Sequence, residues 1–303
     1  MDGFLIIDKP KGITSHDVVR AVRRALKIRR VGHTGTLDPM ATGVLPVAVG
    51  FATRLVEYLS TDDKSYLATM KLGAFTDTQD AEGEVTATLP YDGLQRPHVE
   101  EVVENFLGEI EQVPPMFSAV KIQGKPLYKL ARKGIEIERE ARKVRIYRLE
   151  IRSFEPPMIT FDVTCSKGTY IRTLCRDIAE ALETAGHLVA LRRIRSGGFS
   201  LADTISLEDI EQTPAGMVSE QLLSMEEGMK RFPGYEISPL AVERLMNGIP
   251  PVASSLEESP VCREGEIVTL RKEDKLLAVA RFAPQRKIEK RGDFELLKVF
   301  SQN

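Results

Sequence analysis

The chain has 303 residues, with 42 lysines and arginines against 44 aspartates and glutamates, a formal net charge of −2, and 42% apolar residues. At roughly 100 to 200 residues per domain that length suggests two domains with a sizeable core, and near-neutral charge excludes a disordered acidic or basic tail protein. The longest uncharged apolar run is the nine residues 44–52, interrupted by Pro46, where a bilayer crossing takes roughly 20.

Residues 4–8, Phe-Leu-Ile-Ile-Asp, form an apolar run ended by Lys9-Pro10-Lys11-Gly12, which reads as a buried strand closing in a turn. Thr14 stands three before Asp17 as in a capping box, and Val18, Val19, Val22, Ala25 and Leu26 recur at helical spacing. A helix over about 15–27 follows, with its arginines outermost. Gly32 to Gly43 is rich in Gly and Thr and contains Asp38-Pro39, so it is expected to be a loop. A buried strand over 44–50, a short helix over 53–59 and a strand from Tyr66 to Leu72 come next. A second alternation, Ile159 to Cys165, runs into Ser166-Lys167-Gly168; beyond it an amphipathic helix from Ile171 to Leu182 is stopped by Gly186.

These elements lack a regular βαβ repeat, so they predict a mixed α/β (α+β) fold on a largely antiparallel sheet flanked by helices. The stretch 114–145 begins with Pro114-Pro115, has weak periodicity and reads as a basic excursion from the sheet. Near 230 the composition shifts, and short β-like runs at 266–270 and 276–282 predict a small β-rich C-terminal domain. The expected division is 1–235 and 236–303.

Charge is unevenly spread. Residues 18–37 hold six basic residues and no acid, and 119–148 hold ten basic against three acidic; 61–112 hold three basic against twelve acidic. Any one such run is most often a solvated face, but two basic runs carrying Tyr or Gly favour a polyanion partner, RNA or DNA. The N-terminus lacks a basic start and apolar core of the secretory kind, so a cytoplasmic location is expected. Cys165, Cys175 and Cys262 form no CxxC pair, and His16, His33, His98 and His187 have no metal-ligand spacing, so neither a disulfide framework nor a metal is expected. Phosphate-binding GxxxxGK[ST], dinucleotide GxGxxG, GxSxG, HExxH and the zinc-deaminase pattern are all missing from the sequence. Chemistry without cofactor or metal is what remains.

Its one concentrated locus is the segment Gly32-His33-Thr34-Gly35-Thr36-Leu37-Asp38-Pro39-Met40-Ala41-Thr42-Gly43. Taken bare, Asp-Pro in a Gly-rich loop serves most often as a turn former. Against that, Asp38 is the only carboxylate between Val18 and Leu55 and directly follows a basic segment. With cations nearby it is expected to be fully ionised near pH 7, able to act as nucleophile, base or charge stabiliser.

Gly3-Phe4-Leu5-Ile6-Ile7-Asp8-Lys9-Pro10-Lys11-Gly12, the Gly32 to Val47 block, Lys64-Ser65-Tyr66 and the run from Cys165 to Leu174 together resemble the bacterial TruB family of tRNA pseudouridine synthases. The likeness extends over nearly all of the first 230 residues; the chain's end is similar, more weakly, to that family's PUA-like RNA-binding domain. The resemblance implies the pseudouridine-synthase fold and an enzyme isomerising uridine 55 in the T-loop of tRNA, with no cofactor and no guide RNA. Nothing in the sequence calls for an obligate assembly, so a monomer is expected.

Matched to the family's motifs, Asp38 is the catalytic aspartate, Tyr66 the active-site tyrosine that stacks on uracil, and Arg172 the arginine that pairs with Asp38. A core aromatic and a phosphate-binding arginine are the rival readings of Tyr66 and Arg172. Tyr170 and Leu191 match pocket positions, although such a leucine is core in most proteins, and Lys167 is assigned with them to substrate binding. His33 matches the residue placed in the RNA stack when the uridine flips out, and is otherwise a solvated side chain. Lys9 and Pro10 match the motif supporting the catalytic loop, and 114–145 the insertion that clamps tRNA. Two further classes stay open: a tRNA-binding folding factor whose chemistry is dispensable, and a synthase for another RNA site.

Overall fold

The continuous apolar run at the N-terminus becomes β1 (Gly3–Lys9), buried on both sides: Leu5 and Ile7 enter one core and Phe4 and Ile6 another. The computed structural model describes residues 1–122, 124–284 and 292–300. The capping box forms as read, with the Asp17 amide donating to Thr14 Oγ1 at 3.1 Å and the Thr14 amide to Asp17 Oδ2 at 2.9 Å. Helix α1 (Ser15–Leu26) follows, burying Val18, Val19, Val22 and Leu26, and ends where Lys27 takes a left-handed conformation.

The segment expected to be wholly loop contains two strand pieces. Val31–His33 is β2, and β3 (Thr42–Val49) begins two residues before the expected start because Thr42 and Gly43 pair with a distant strand. A 3-10 turn (Gly50–Leu55) and α2 (Val56–Leu59) lead to β4 (Lys64–Leu72). Strands β5 (Ala74–Thr76) and β6 (Val85–Thr88) form a separate hairpin, followed by α3 (Arg96–Glu104) and β7 (Gly108–Gln112). The excursion from the sheet spans 113–141 and carries the small pair β8 (Lys121–Ile122) and β9 (Lys125–Pro126) and helix α4 (Leu127–Ala131). Residues 142–145 already lie in β10 (Arg142–Glu155), which turns into β11 (Met158–Cys165).

Helix α5 (Ile171–Ala181) closes earlier than the sequence suggests. Glu183 takes the left-handed conformation that ends it, and Gly186 instead opens β12 (Gly186–Ser196), close against Ala179. After β13 (Phe199–Ser200) and β14 (Ile205–Ser206), three short helices run to Gly228.

The large sheet has the order β14-β1-β3-β12-β4-β11-β10-β7, with β2 beside β3 and β13 beside β12. Only β1–β14 and β3–β12 are parallel, so the mixed, largely antiparallel architecture is as expected. Helices α1, α3 and α5 cover one face and share its core with Tyr66, Ala68, Met70 and Leu191. A second sheet, β15 (Gly234–Glu236), β16 (Ile267–Lys272), β17 (Lys275–Phe282) and β18 (Phe294–Val299), has its own core with helix Pro239–Met246. It leans on the other face of β1 and β3 through Leu276, Val279 and Phe300, which pack with Phe4, Ile6 and Ala48. No described helix is long and apolar enough to cross a membrane.

Candidate active site

Asp38 sits in the 34–41 loop between β2 and β3, and that loop is held from several sides. The Ala41 amide donates to the Asp38 carbonyl at 3.0 Å, so Asp38-Pro39 does form a turn; the turn reading and a chemical one coexist. Ser15 Oγ both accepts from the Leu37 amide at 2.8 Å and donates to its carbonyl at 3.1 Å. Leu37, Met40 and Ala41 are buried, which gives the loop its own share of the core. Beneath it, fully buried Lys9 donates from Nζ to the carbonyls of Pro10, Ile13 and Pro39. Desolvation lowers the Lys9 pKa to about 8.

Arg172 enters from the first turn of α5, 4% exposed, with Nε 2.9 Å from Asp38 Oδ2 and Nη2 donating to Oδ1 at 3.3 Å. Its other donors go to the carbonyls of Thr78 at 2.9 Å and Phe117 at 2.8 Å, and Asp80 Oδ2 lies 3.6 Å from Nε. One guanidinium therefore ties together the Asp38 loop, the β5–β6 turn and the excursion. The start of α5 has no side-chain cap of its own. Gln112 from β7 supplies a two-point clamp instead, accepting from the Tyr170 amide at 2.7 Å and donating to its carbonyl at 3.1 Å.

The pKa of Asp38 moves against the pull of its neighbouring cations. Its side chain keeps one-third of its surface open, yet its depth raises the pKa above the usual aspartate value. Burial is the largest cause and Asp80 adds to it, while Arg172 and Lys9 oppose. Sequence reasoning counted the neighbouring cations and had no measure of desolvation. Tyr66 is buried and pushed up to about 12 by burial, with Arg193 pulling the other way. His33 is half-buried, and desolvation, then Arg193 and His16, lower its pKa, so its imidazole is neutral at pH 7.

These groups border a cleft of about 740 Å³, within the size range of small-molecule sites. The structure brings Asp38, Tyr66, Arg172, His33, Tyr170, Leu191 and Lys167 to its wall, with Lys167 exposed at the rim. Lys9 and Pro10 stand outside the wall, Lys9 under the loop and Pro10 exposed. Phe117, Tyr128 and Arg132 of the excursion face the same space, and Arg132 lies over the Tyr128 ring at 5.7 Å. Sequence reasoning missed Asp80, Gln112 and Arg193. Asp80 lay inside an acidic block read as solvated surface, and Gln112 and Arg193 carried no local signal. Among the described residues no group of three or more His, Cys, Asp or Glu side chains is arranged to hold a metal ion.

Known proteins similar to this chain fall in one family. Residues 23–171 match the TruB family pseudouridylate synthase N-terminal domain, and 172–230 the tRNA pseudouridylate synthase B C-terminal domain. The tRNA pseudouridine synthase B of Syntrophotalea carbinolica is 46% identical over 301 residues, 99% of this chain and 98% of the relative. The chain belongs to the TruB family of pseudouridylate synthases. The tRNA pseudouridine synthase B of Geobacter sulfurreducens is 46% identical over 258 residues, 85% of each protein. Among solved structures, the archaeal box H/ACA sRNP Nop10-Cbf5 complex matches with a TM-score of 0.74 at 27% identity, covering 99% of this chain and 86% of that one. An H/ACA RNP bound to a substrate RNA containing 2'-deoxyuridine matches at 0.75 and 26%, covering 99% and 85%. As a TruB-family member the chain is an enzyme, a pseudouridylate synthase. The two family matches together span residues 23–230, so the second sheet lies outside them.

Proposed function

We propose that this enzyme converts uridine 55 in the T-loop of tRNA to pseudouridine, working without a guide RNA, with Asp38 as its catalytic residue. The near-full-length relatives named tRNA pseudouridine synthase B support the substrate class. The observation that carries the assignment of Asp38 is its ion pair with the nearly buried Arg172, inside the cleft that Tyr66 also lines.

The net reaction breaks the bond from ribose C1′ to uracil N1 and forms one from C1′ to C5. The hydrogen on C5 leaves as a proton and N1 takes one up, so nothing is oxidised or reduced. Asp38 acts on the sugar or the ring during glycosidic cleavage, and Arg172 holds its carboxylate toward the cleft. Tyr66 stacks on the uracil, and the walls of the cleft keep the detached base from diffusing away. Flipping the uridine out of the RNA costs a few kcal/mol of stacking; the neutral ring of His33 enters the gap, where it stacks without a charge to desolvate. Residues 113–141 clamp the RNA with Tyr128 and Arg132, and the second sheet is a PUA-like accessory RNA-binding unit.

The deciding experiment incubates the purified chain with unmodified tRNA labelled at uracil C5, then maps the isomerised position. The wild type is expected to release label from the T-loop uridine alone. Asp38→Asn is expected to release none while holding tRNA within about threefold of the wild-type affinity. Full turnover by the variant would overturn the catalytic assignment and favour a folding factor; release from an rRNA fragment in place of tRNA would move the substrate.

A further inference from the structure

Four neighbouring strands place one residue each in a single row across the helix-covered face of the large sheet. Lys9 of β1 pairs with Gly43 of β3, Gly43 with Arg193 of β12, and Arg193 with Tyr66 of β4. Residues paired in this way hold their side chains side by side. Gly43 is a gap in the row: its φ is +101°, and a Cβ there would stand 2.2 Å from the Arg193 carbonyl oxygen. The Asp38 loop settles over that gap, with a long cationic side chain on either flank.

Both cations reach loop carbonyls. Lys9 Nζ donates to Pro39 at 3.2 Å, just after Asp38, while Arg193 donates from Nη2 to Gly35 at 3.2 Å and from Nη1 to Thr36 at 3.4 Å, just before it. Arg193 Nε also donates to Val44 at 2.7 Å, beyond the loop's far end. Arg193 is 1% exposed and enters no ion pair among the described residues. A buried guanidinium without a carboxylate is costly, and an apolar side chain would fill the same volume without that cost. What Arg193 supplies instead is a rigid fork of donors aimed at fixed carbonyls, together with a positive charge beside the Tyr66 phenol.

Resting on the uridine-isomerising reading above, we propose that Arg193 is a positioning residue for that reaction, setting the height of the Asp38 loop and the orientation of the Tyr66 hydroxyl together. The row geometry couples the two. A shift of the guanidinium displaces the loop carbonyls and the phenol at once, and misplacement by about 1 Å is enough to cost on the order of 100-fold in rate.

The test measures single-turnover rate and tRNA affinity for Arg193→Met and Arg193→Lys, each with and without Tyr66→Phe, alongside thermal unfolding. Arg193→Met is expected to slow conversion about 100-fold with affinity within about threefold. Arg193→Lys, which keeps the charge but loses the fork, is expected to recover about tenfold of that. The readout that packing alone would not move is the coupling: Tyr66→Phe is expected to cost much less in the Arg193→Met background than in the wild type. A rate for Arg193→Met within about threefold of wild type, a loss confined to affinity, or an undiminished Tyr66→Phe penalty would each overturn the proposal. If Arg193→Met does not fold, Arg193→Lys decides, since a folded lysine variant at wild-type rate would also overturn it. No conversion by the wild-type chain would strike at the functional reading instead.

Discussion

Arg172 and Asp38 meet with 2.9 Å between Nε and Oδ2, and the arginine in that pair is 4% exposed while the aspartate keeps one-third of its surface open to the cleft. The asymmetry separates their tasks. Arg172 is a buried fixture that also donates to the carbonyls of Thr78 and Phe117, a setting that suits holding Asp38 better than binding an RNA phosphate. Asp38 presents the accessible oxygen.

Replacing Arg172 by alanine leaves Asp38 and Asp80 facing one cavity without their shared cation, and two neighbouring carboxyls in that state favour uptake of a proton. Arg172→Ala is therefore expected to lower the single-turnover rate by about 100-fold or more with tRNA affinity within about threefold. Arg172→Lys keeps charge but loses the planar fork, and is expected to recover only part of the rate. Equal losses in rate and affinity, measured by quench-flow and filter binding, would return Arg172 to a phosphate-binding role.

Burial sets the pH range. Asp38 has its pKa raised, so its ionised form is lost as pH falls through a value above the ordinary 3.8, and the acid limb of activity is expected above that point. On the alkaline side, Lys9 and Lys64 are lowered to about 8 by desolvation. Deprotonated Lys9 has one donor fewer for its three carbonyls, so activity is expected to fall as pH rises past about 8. Stability moves the other way. Between about 8 and the ordinary lysine value of 10.5 the unfolded chain binds more protons than the folded one, so these two lysines make stability rise with pH. Activity falling in step with the unfolding midpoint would sink this assignment; a fall at constant fold supports it.

Gly43 is required twice over, by its positive φ and by the close approach of β12. Gly43→Ala is expected to destabilise the protein by roughly 4 kcal/mol or more, the range reserved for steric conflict in a packed core. Chemical denaturation measures it directly, and a loss under about 1 kcal/mol would show that β12 can yield there.

Much of this was legible locally. The Thr14–Asp17 capping box, the alternation in β4 and β11 and the two-sided apolar run of β1 depend on residues near one another in sequence, so pattern alone found them. Asp38 stood out because it was the lone acid in a basic stretch. The rest depends on pairings over long chain separations. Strand β2 is three residues long and exists only because β3 is beside it. Asp80, Gln112 and Arg193 are ordinary polar residues until the sheet order delivers them to Arg172, Tyr170 and Tyr66. The upward direction of the Asp38 pKa is illegible in the sequence for the same reason, since composition records charge but not the removal of water.

Strand β1 works as a party wall. Its odd positions face the chemistry, while Phe4 and Ile6 enter a rear core shared by Phe199, Met229, Leu276, Val279 and Phe300, with Arg54 stacked on Phe300 at 4.9 Å and bonded to the Val299 carbonyl. A gene shortened before β15 would take Leu276, Val279 and Phe300 out of that shared core and lay oily side chains bare, turning the rear of the enzyme into a surface prone to self-adhesion.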